Sequence, residues 1–350
     1  MKILHVIQTI DTNKGGGVTA RNLKIIEYLE RLNTDNYILT LNNNKNLPKQ
    51  KYKSKTKIFT MAYFNERFPI PIKNIFLIGS KIRNVDIVHL TSFWTILNAY
   101  SYIFCKVFKK KYVICPAGSL FIVGRSKLLK YIYNFTIGNN IVKDAAAIIA
   151  ITDKEVEQFL SINIPENKIF KIPNGVELNN IEKIKFIKEK EAYFKKYKPY
   201  ILYVGRLNFI KGPDILIKSF NIIADQIPRY NLVIAGNDDG MGKELKIISR
   251  KSKFSNRIHF IGFVKGIEKE FLYKNADLLV IPSRSEAMSL VVLEAALHGL
   301  ESIFTDQCGL DELSKENLGT SVPVNIKLLS EAINLFLKSK NKQKMNLKLK

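Results

Sequence analysis

Two glutamates eight positions apart, Glu286 and Glu294, lie in a stretch, residues 283–299, that could bind a polar ligand. Glu294 stands inside an apolar run of good helix formers, Leu290–Leu297, where a buried carboxylate without a partner would be costly. Glu286 lies in the preceding loop, and Ser289 could cap the helix, whose first N–H groups would be open to an anion. Both carboxylates could then border one small volume and bind hydroxyl groups there. The alternative is a core helix with one glutamate drawn to the positive end of its dipole.

Two cations, Arg206 and Lys211, lie in a glycine-bounded loop after the strand-like run Tyr200–Val204. Ligands of α/β sheets bind beyond the carboxyl ends of the strands. Arginine can hold a phosphate through two parallel hydrogen bonds, and lysine adds a point charge, so the pair suits a diphosphate. The alternative is that both side chains are solvated. A diphosphate beside carboxylates that bind hydroxyl groups predicts a nucleoside-diphosphate sugar as the ligand.

The elements that would position these residues are strand, loop and helix units that recur along the chain. Their alternation predicts an α/β protein with mainly parallel, doubly wound sheets. A charged segment that is poor in strand signals, residues 177–199, separates two series of such units. We therefore predict two Rossmann-like domains that face each other across a cleft, with the bounds 1–185 and 186–340, followed by a basic tail at 341–350.

The first unit contains a glycine cluster, Gly15–Gly17, in a predicted loop from Thr9 to Gly17 that precedes a helix from Val18. The glycines lack the G-x-G-x-x-G spacing of a dinucleotide site, and the next strand is not followed by an acid for a ribose. This disfavours a dehydrogenase. Gly16 and Gly17 are candidates for close backbone approach to a substrate, and a tight turn is the alternative.

Two further candidates lie at the end of the predicted strand Val85–Leu90 and in the turn that follows it. His89 and Trp94 could line the acceptor side of the cleft. The alternatives are a core-edge histidine with its hydrogen bonds satisfied and a hydrophobic hinge patch.

Three motifs carry a resemblance to a known family. They are Tyr-Val-Gly-Arg-Leu-x-x-x-Lys-Gly at 203–212, Ile-Pro-Asn-Gly-Val at 172–176, and Pro-Ser-x-x-Glu-Ala-x-x-Leu-Val-Val-Leu-Glu-Ala at 282–295. The chain resembles the retaining GT-B glycosyltransferases of family 4 over about residues 2–325, more specifically in its second half. Residues 86–94 and 115–120 resemble the branch that builds bacterial surface polysaccharides.

The resemblance implies roles for the residues that match the motifs. The first domain would receive the acceptor, and Arg206 and Lys211 would bind the donor diphosphate. Glu294 would bind the ribose and Glu286 would lie near the transferred sugar, so that the catalytic group is Glu286, Arg206 and Lys211. Backbone at Met288, Ser289 and Leu290 would meet phosphate, and backbone near Val264 would meet the base. Neither a metal nor a cofactor is implied, because the cations and the helix N-terminus carry the leaving charge.

The sequence departs from the family pattern in a few places. Ala117-Gly118 stands where members often have His-Gly or Arg-Gly, a side chain often given a catalytic role. Glu286-Ala287-Met288-Ser289 replaces Glu-Gly-Phe-Gly, which is a tolerable change at a helix start.

The charge of the chain is strongly positive, with 55 Lys and Arg against 31 Asp and Glu and a net charge of +24. Basic surfaces bind phosphates, and we expect no nucleic-acid partner because no nucleic-acid motif is present. Basic residues interleave with aromatic ones in the first half, notably at Lys106, Lys109–Lys111, Arg125, Lys127, Lys130 and Lys143. This pattern predicts attachment to an anionic membrane surface, and a solvated basic face is the alternative.

We expect a cytoplasmic protein, held peripherally on the inner face of the cell membrane. Three scattered cysteines indicate a reducing compartment, and no apolar run reaches the length of a membrane span. The function predicted from these observations is a retaining, metal-independent hexosyltransferase of cell-surface polysaccharide synthesis. Its substrates would be a nucleotide sugar and a saccharide or lipid-linked saccharide. A non-catalytic GT-B subunit and another GT-B enzyme, such as a nucleotide-sugar epimerase, remain alternatives. Nothing in the sequence specifies an oligomeric state.

Overall fold

The computed structural model describes residues 1–42, 55–65, 68–72, 74–120, 122, 126–177, 193–316 and 318–348, without the side chains of 13 and 341–348. The chain divides into two compact units, Met1–Asn174 and Gly175–Lys350. The predicted boundary between residues 185 and 186 lies outside the described residues.

The first unit is a parallel sheet with helices packed on it. Its strands are β1 (Lys2–Val6), β2 (Asp35–Leu41), β3 (Lys57–Met61), β6 (Ile87–Thr91), β7 (Lys111–Cys115), β8 (Ala147–Ala150) and β9 (Ile169–Lys171), with a small antiparallel pair, β4 (Tyr63–Phe64) and β5 (Ile70–Pro71). Its α-helices are α1 (Thr12–Arg31), α2 (Ile75–Arg83), α3 (Ile96–Val107), α4 (Lys127–Tyr133), α5 (Asn139–Lys143) and α6 (Asp153–Ser161). A π-helix, Asn134–Gly138, joins α4 to α5, and a 3₁₀ turn covers Glu166–Lys168.

The second unit repeats this plan. Its strands are β10 (Tyr200–Val204), β11 (Asn231–Ala235), β12 (Ile258–Gly262), β13 (Leu278–Ile281), β14 (Ser302–Thr305) and β15 (Thr320–Val322). Its α-helices are α7 (Pro213–Ile223), α8 (Gly242–Arg250), α9 (Ile267–Asn275), α10 (Leu290–Leu297), α11 (Asp311–Lys315) and α12 (Ile326–Lys348). The last helix therefore continues into the segment that the sequence analysis assigns to a basic tail.

The strand orders confirm the prediction of two parallel α/β sheets. The first sheet runs β3-β2-β1-β6-β7-β8-β9, and the second runs β12-β11-β10-β13-β14-β15. In each sheet the chain winds outward from one strand and then returns to its other side, so the direction of winding reverses between β1 and β6 and between β10 and β13. Such a reversal leaves a crevice beyond the carboxyl ends of the two strands, where ligands of open α/β sheets bind.

Each unit has cores of its own. The central strands of the sheets are largely apolar, as expected where helices cover both faces, and Leu4, Val88 and Ile114 are fully buried in the first unit. Ile201, Leu232 and Leu278 are fully buried in the second. Fully burying each such side chain stabilises the fold by about 1.5–3 kcal/mol, so the sheets are rigid supports for the loops at their edges.

At the glycine cluster the predicted local structure is wrong in one part, the loop before Gly16. The sequence analysis places Thr9–Gly17 in a loop, but the structure is helical from Thr12 to Arg31, with a break at Gly16 (φ 59°, ψ −144°). That conformation is open to glycine and closed to other residues, so two helical stretches meet in a kink at Gly16. The second stretch begins close to Val18, where the sequence predicts the start of the helix. Among the described residues, no helix has both the length and the apolar character that crossing a bilayer requires.

Candidate active site

Arg206 and Lys211 lie in the loop between β10 and α7, at the crevice of the second sheet. Arg206 is about half exposed and its Nη1 lies 3.1 Å from Oδ2 of Asp239. The Lys211 ammonium lies 2.8 Å from Oε2 of Glu286, which is 8% exposed. Gly212 ends the loop in the left-handed region (φ 65°), and any side chain there would collide with the carbonyl oxygen of Pro282 after β13. The structure thus brings this loop against the loop after β13.

Glu286 is held at both of its oxygens. Its Oε2 pairs with Lys211, and its Oε1 accepts a hydrogen bond from the hydroxyl of Ser283. Its backbone N–H donates to the carbonyl of Gln307 at 2.8 Å. The carboxylate therefore has a fixed orientation, and its partner is the cation that the sequence analysis assigns to the diphosphate.

A second ion pair, which the sequence analysis does not contain, joins the same two loops. Nη1 and Nη2 of Arg284 bind Oδ1 and Oδ2 of Asp214 at 2.9 and 2.7 Å. The guanidinium also donates to the carbonyl of Phe209 at 2.6 Å and lies 4.1 Å from the centre of its ring. Burial alone would raise the pKa of Asp214, but the hydrogen bonds and charge of Arg284 lower it below its ordinary value. Asp214 is therefore a buried, ionised anchor at the start of α7.

Glu294 has partners and remains partly open. Lys269 of α9 donates to Oε1 at 2.8 Å, and the hydroxyl of Tyr273 donates to Oε2 at 2.8 Å. The side chain is 29% exposed. The expectation that a carboxylate inside this apolar helix needs a partner is confirmed, and carboxylate lone pairs remain for a ligand hydroxyl.

The amino end of α10 is ordered by the segment after β14. Ser289 occupies the N-cap position, but its side chain makes no capping hydrogen bond. Its N–H donates to the carbonyl of Cys308 at 3.0 Å, so this donor is already used. A side chain at Gly309 (φ 63°) would collide with the carbonyl of Ala287, which shows how closely the two segments approach. Helix α10 begins at Leu290, and its first N–H groups lie where the sequence predicts an anion.

Val264 lies in the same unit, between β12 and α9, where its side chain packs into the core. Gly266, two residues further on, has φ 53° and open space where a Cβ would lie, and it forms the N-cap of α9. The turn that the resemblance assigns to the base thus leads directly into the helix that carries Lys269 and Tyr273.

In the first unit the predicted acceptor residues flank the crevice between β1 and β6. Gly16 lies in α1, which follows β1, and Gly17 comes directly after the break. His89 lies within β6 and Trp94 in the turn after it. Gly16 and Gly17 thus follow one strand, and His89 and Trp94 lie in or just after the strand paired with it.

His89 forms a buried pair with His5, its direct neighbour across the sheet. Their Nδ1 atoms are 3.1 Å apart, and Nε2 of His5 lies 3.1 Å from Oδ1 of Asn36. Because the Asn36 oxygen can only accept, His5 carries its proton on Nε2 and His89 donates from Nδ1. Nε2 of His89 is then a buried acceptor without a hydrogen-bond partner among the described residues. Burial lowers the pKa of His5 to about 4 and that of His89 to about 3, with the charges of His5 and Arg21 adding to the effect on His89.

Arg21, whose charge acts on His89, also interacts with Cys115 and Glu155, and no sequence motif assigns a site role to these three residues. Nη1 of Arg21 donates to Sγ of Cys115 at 3.3 Å. The Glu155 carboxylate accepts the N–H groups of Gly118 and Ile151 at 2.5 and 2.6 Å. This carboxylate fixes the loop in which Ala117 adopts a left-handed conformation (φ 52°), which is uncommon for alanine.

Residues of α4 and of the π-helix after it hold the side chain of Trp94 in place. Its indole N–H donates to Oδ1 of Asn134 at 2.9 Å, and the ammonium of Lys130 lies 4.1 Å from its ring centre. Its ring also packs against Phe93. The indole is thus part of a packed cluster at the crevice, with some surface left exposed.

Comparisons with known proteins agree with this architecture. The family model described as Glycosyltransferase Family 4 matches residues 15–180, and that described as Glycosyl transferases group 1 matches residues 184–348. Together they account for nearly the whole chain, one model for each half.

Individual proteins match over different lengths. An uncharacterized 41.2 kDa protein in the cps region of Klebsiella pneumoniae is 26% identical over 96% of this chain and 89% of its own length. An uncharacterized glycosyltransferase of Methanocaldococcus jannaschii is 33% identical over 50% of this chain and 46% of its own length. The crystal structure of Anabaena HepE in complex with UDP-glucose matches with a TM-score of 0.76 and 18% identity, covering 98% of this chain and 91% of that one. The chain belongs to the GT-B glycosyltransferases of family 4.

Proposed function

We propose that this glycosyltransferase moves a hexose, with retention, from a nucleoside-diphosphate sugar to a saccharide or lipid-linked saccharide during synthesis of a cell-surface polysaccharide. The observation that carries the donor assignment is the ion pair between Lys211 and Glu286 at the crevice beside β10 and β13. Its two charged groups, 2.8 Å apart, are the cation that we assign to the diphosphate and the carboxylate that we assign to a sugar hydroxyl. The donor of HepE, UDP-glucose, is of the proposed class.

In this proposal some residues neutralise the charge of the donor and others position its sugar and ribose. Arg206 and Lys211, with the amino end of α10, neutralise the diphosphate as it leaves, and preorganised charges of this kind act without a metal. Glu286 orients the transferred sugar, because Lys211 and Ser283 fix its two oxygens. Glu294 holds the ribose through lone pairs that Lys269 and Tyr273 leave open.

The acceptor belongs to the first unit in this proposal, at the crevice flanked by Gly16, Gly17, His89 and Trp94. A role in surface polysaccharide synthesis is in keeping with the Klebsiella relative, a protein of a cps region. A lipid-linked acceptor would place the enzyme peripherally on the cytoplasmic side of the membrane.

The second candidate function is that of a non-catalytic subunit with the same fold, which Ala117 favours, since a small side chain stands where the resemblance expects histidine or arginine. An epimerase acting on nucleotide sugars would bind the same donors, but it would release a changed sugar nucleotide instead of transferring the sugar. Donor hydrolysis by the purified protein separates an active enzyme from a binding subunit, and the released sugar separates transfer from epimerisation.

The donor assignment is tested by thermal unfolding of the purified protein with UDP-, GDP-, ADP- and dTDP-sugars. A ligand that binds only the native state raises the midpoint of unfolding, by an amount that grows with its concentration over its Kd. We expect one nucleotide to stabilise the wild type and to lose most of that effect in the Lys211→Ala variant. Lys246→Ala, on the exposed surface of α8, is the matched control. Stabilisation that is equal in both variants would contradict the assignment. Strong inhibition by a chelator, reversed by a divalent ion, would contradict the metal-free mechanism.

A further inference from the structure

The helical segment from Lys127 to Lys143, formed by α4, the π-helix and α5, has one face fixed to the first unit. The hydroxyl of Tyr133 donates to the carbonyl of Phe93 at 3.0 Å, and Asn134 accepts the indole N–H of Trp94 at 2.9 Å. Further along, Ile141 and Val142 are buried in the core. These contacts hold the segment in one orientation.

The opposite face of α4 and the π-helix is apolar and exposed. Leu128, Tyr131, Ile132 and Phe135 recur at the spacing of one helix face, and their exposed fractions are 71%, 62%, 51% and 89%. None of the α4 residues is buried. Large apolar side chains that share one stripe of a helix mark an interaction surface, because a solvated helix would place polar residues there.

The sequence that contains this stripe is basic. From Ile87 through Lys143 the sequence contains no Asp or Glu, whereas it contains the basic residues Lys106, Lys109, Lys110, Lys111, Arg125, Lys127, Lys130 and Lys143. Arg125 lies outside the described residues. Lys127 and Lys143, at the two ends of the segment, are exposed, and Lys106 is paired with Asp144 at 2.8 Å. The partner must therefore offer negative charge and an apolar layer together.

Two further helices on the same side of the sheet also expose large apolar side chains. Helices α2, α3 and α4 all belong to crossovers that run in one direction along the sheet, so the right-handed rule puts them on one face. Phe76 of α2 and Val107 of α3 are 83% and 64% exposed. Gly79 lets α2 approach Phe104 of α3 closely, which keeps the two helices together.

We propose that this face, with Leu128, Tyr131, Ile132 and Phe135 at its centre, docks the protein on an anionic lipid bilayer. The apolar side chains would enter the boundary between headgroups and acyl chains, and Lys127 and Lys143 would lie at the headgroups. A bilayer fits better than a protein partner, because it supplies an apolar layer beneath a continuous anionic surface. The inference is independent of the proposed donor chemistry.

The test is co-sedimentation of the full chain with vesicles of phosphatidylcholine alone, or of phosphatidylcholine and phosphatidylglycerol in equal parts, at low and high salt. We expect binding to the mixed vesicles that falls steeply with salt, because screening weakens the attraction of surface charges. The double variant Leu128→Ser/Phe135→Ser should reduce the partition coefficient by at least about tenfold, since both side chains would leave the lipid. Lys127→Gln/Lys143→Gln should reduce binding to the mixed vesicles alone.

Matched controls come from the second unit. Leu335 on α12 is 70% exposed, and Lys243 and Lys246 on α8 are exposed lysines, so Leu335→Ser and Lys243→Gln/Lys246→Gln should bind vesicles as the wild type does. Circular dichroism checks that each variant is folded, and stabilisation by a nucleotide sugar checks the donor site separately. Equal binding to both kinds of vesicle, or none to either, would overturn the proposal. So would self-association that Leu128→Ser/Phe135→Ser abolishes, because a second copy would then cover the stripe.

Discussion

The guanidinium of Arg284 and the carboxylate of Asp214 meet in two parallel hydrogen bonds, at 2.9 and 2.7 Å, across 70 residues of sequence. Arg284 belongs to the loop after β13 and Asp214 to the first turn of α7. The backbone N–H of Arg284 also donates to the carbonyl of Ile210 at 2.7 Å. The pair thus fixes the relative position of Lys211 and Glu286, although neither of its members is assigned a contact with the donor.

Arg284→Gln should therefore lower both the free energy of unfolding and the affinity for the donor. Breaking a buried pair leaves Asp214 charged and without its partner, which typically costs about 3–5 kcal/mol of unfolding free energy. Lys218→Gln is the control, because Lys218 lies 3.7 Å from the same carboxylate but is 45% exposed, and exposed pairs contribute less than about 1 kcal/mol. Urea unfolding measures both variants. Equal losses of unfolding free energy in the two variants would contradict the claim that Arg284 is the main partner of Asp214.

Arg206 makes an exposed pair, so its removal should affect donor binding without affecting stability. Arg206→Ala should change the free energy of unfolding by less than about 1 kcal/mol, because surface ion pairs contribute little. Donor affinity should fall about ten- to a hundredfold, the cost of losing a charged hydrogen bond. Asp239→Asn removes the partner of Arg206, at 3.1 Å, and should leave donor affinity unchanged or higher. A large loss of donor affinity in Asp239→Asn would mean that donor binding requires the ion pair of Arg206 with Asp239, and not the Arg206 cation alone.

The two glutamates should differ in kinetics. Glu286→Gln should lower kcat more than it raises KM for the donor, because the carboxylate is proposed to act on the transferred sugar. Glu294→Gln should raise the donor KM, because an amide offers one accepting oxygen where the carboxylate offers two. Steady-state kinetics with the true donor and acceptor decide this, and normal turnover by both variants would show the assignments to be wrong.

Tyr273→Phe removes one of the two donors that hold Glu294, at 2.8 Å. We expect a loss of about 1 kcal/mol in unfolding free energy, typical of one hydrogen bond, and a weaker donor complex. Tyr200→Phe is a close control, because Tyr200 is buried in the same unit and its hydroxyl donates to the carbonyl of Leu272 at 2.9 Å. It should lose similar stability and keep donor affinity. Nucleotide titration by calorimetry compares the two variants.

The histidine pair in the first sheet should make the protein sensitive to acid. His5 and His89 have pKa values lowered to about 4 and about 3, so both stay neutral in the folded state while the unfolded chain binds protons below pH 6.5. Stability is then lost as the pH falls from 6.5 towards 4, at most by about 1.4 kcal/mol per pH unit for each histidine. Urea unfolding at pH 7 and pH 5 measures the slope. If the dependence of unfolding free energy on pH were the same in His89→Asn as in the wild type, His89 would have no part in the acid sensitivity.

The positions of the site residues in the second unit are the most predictable part of the site. Each motif lies directly after a strand, and each strand is recognisable in the sequence as an apolar run. The run that ends at Val204 and the one that ends at Ile281 are both buried strands, and they are neighbours. Sequence order alone does not reveal that neighbourhood, since two strands and three helices lie between them.

Long-range polar partners were beyond prediction. The pairing of His5 with His89 depends on strand register, which places them directly opposite each other. Arg284 and Asp214 have no local pattern that links them. The helix at Thr12 was missed because three consecutive glycines read as a breaker, whereas one break at Gly16 is enough to accommodate them.

The chain divides after Asn174, and among the described residues each hydrophobic cluster is made of buried residues from one unit. Each half is therefore a separable module in the sense of protein engineering. A chimera that joins Met1–Asn174 to the second half of a relative would keep every buried cluster of the first half intact. If the first unit binds the acceptor and the second the donor, as proposed, such a chimera would recombine acceptor preference and donor preference, and natural variants could change one while retaining the other.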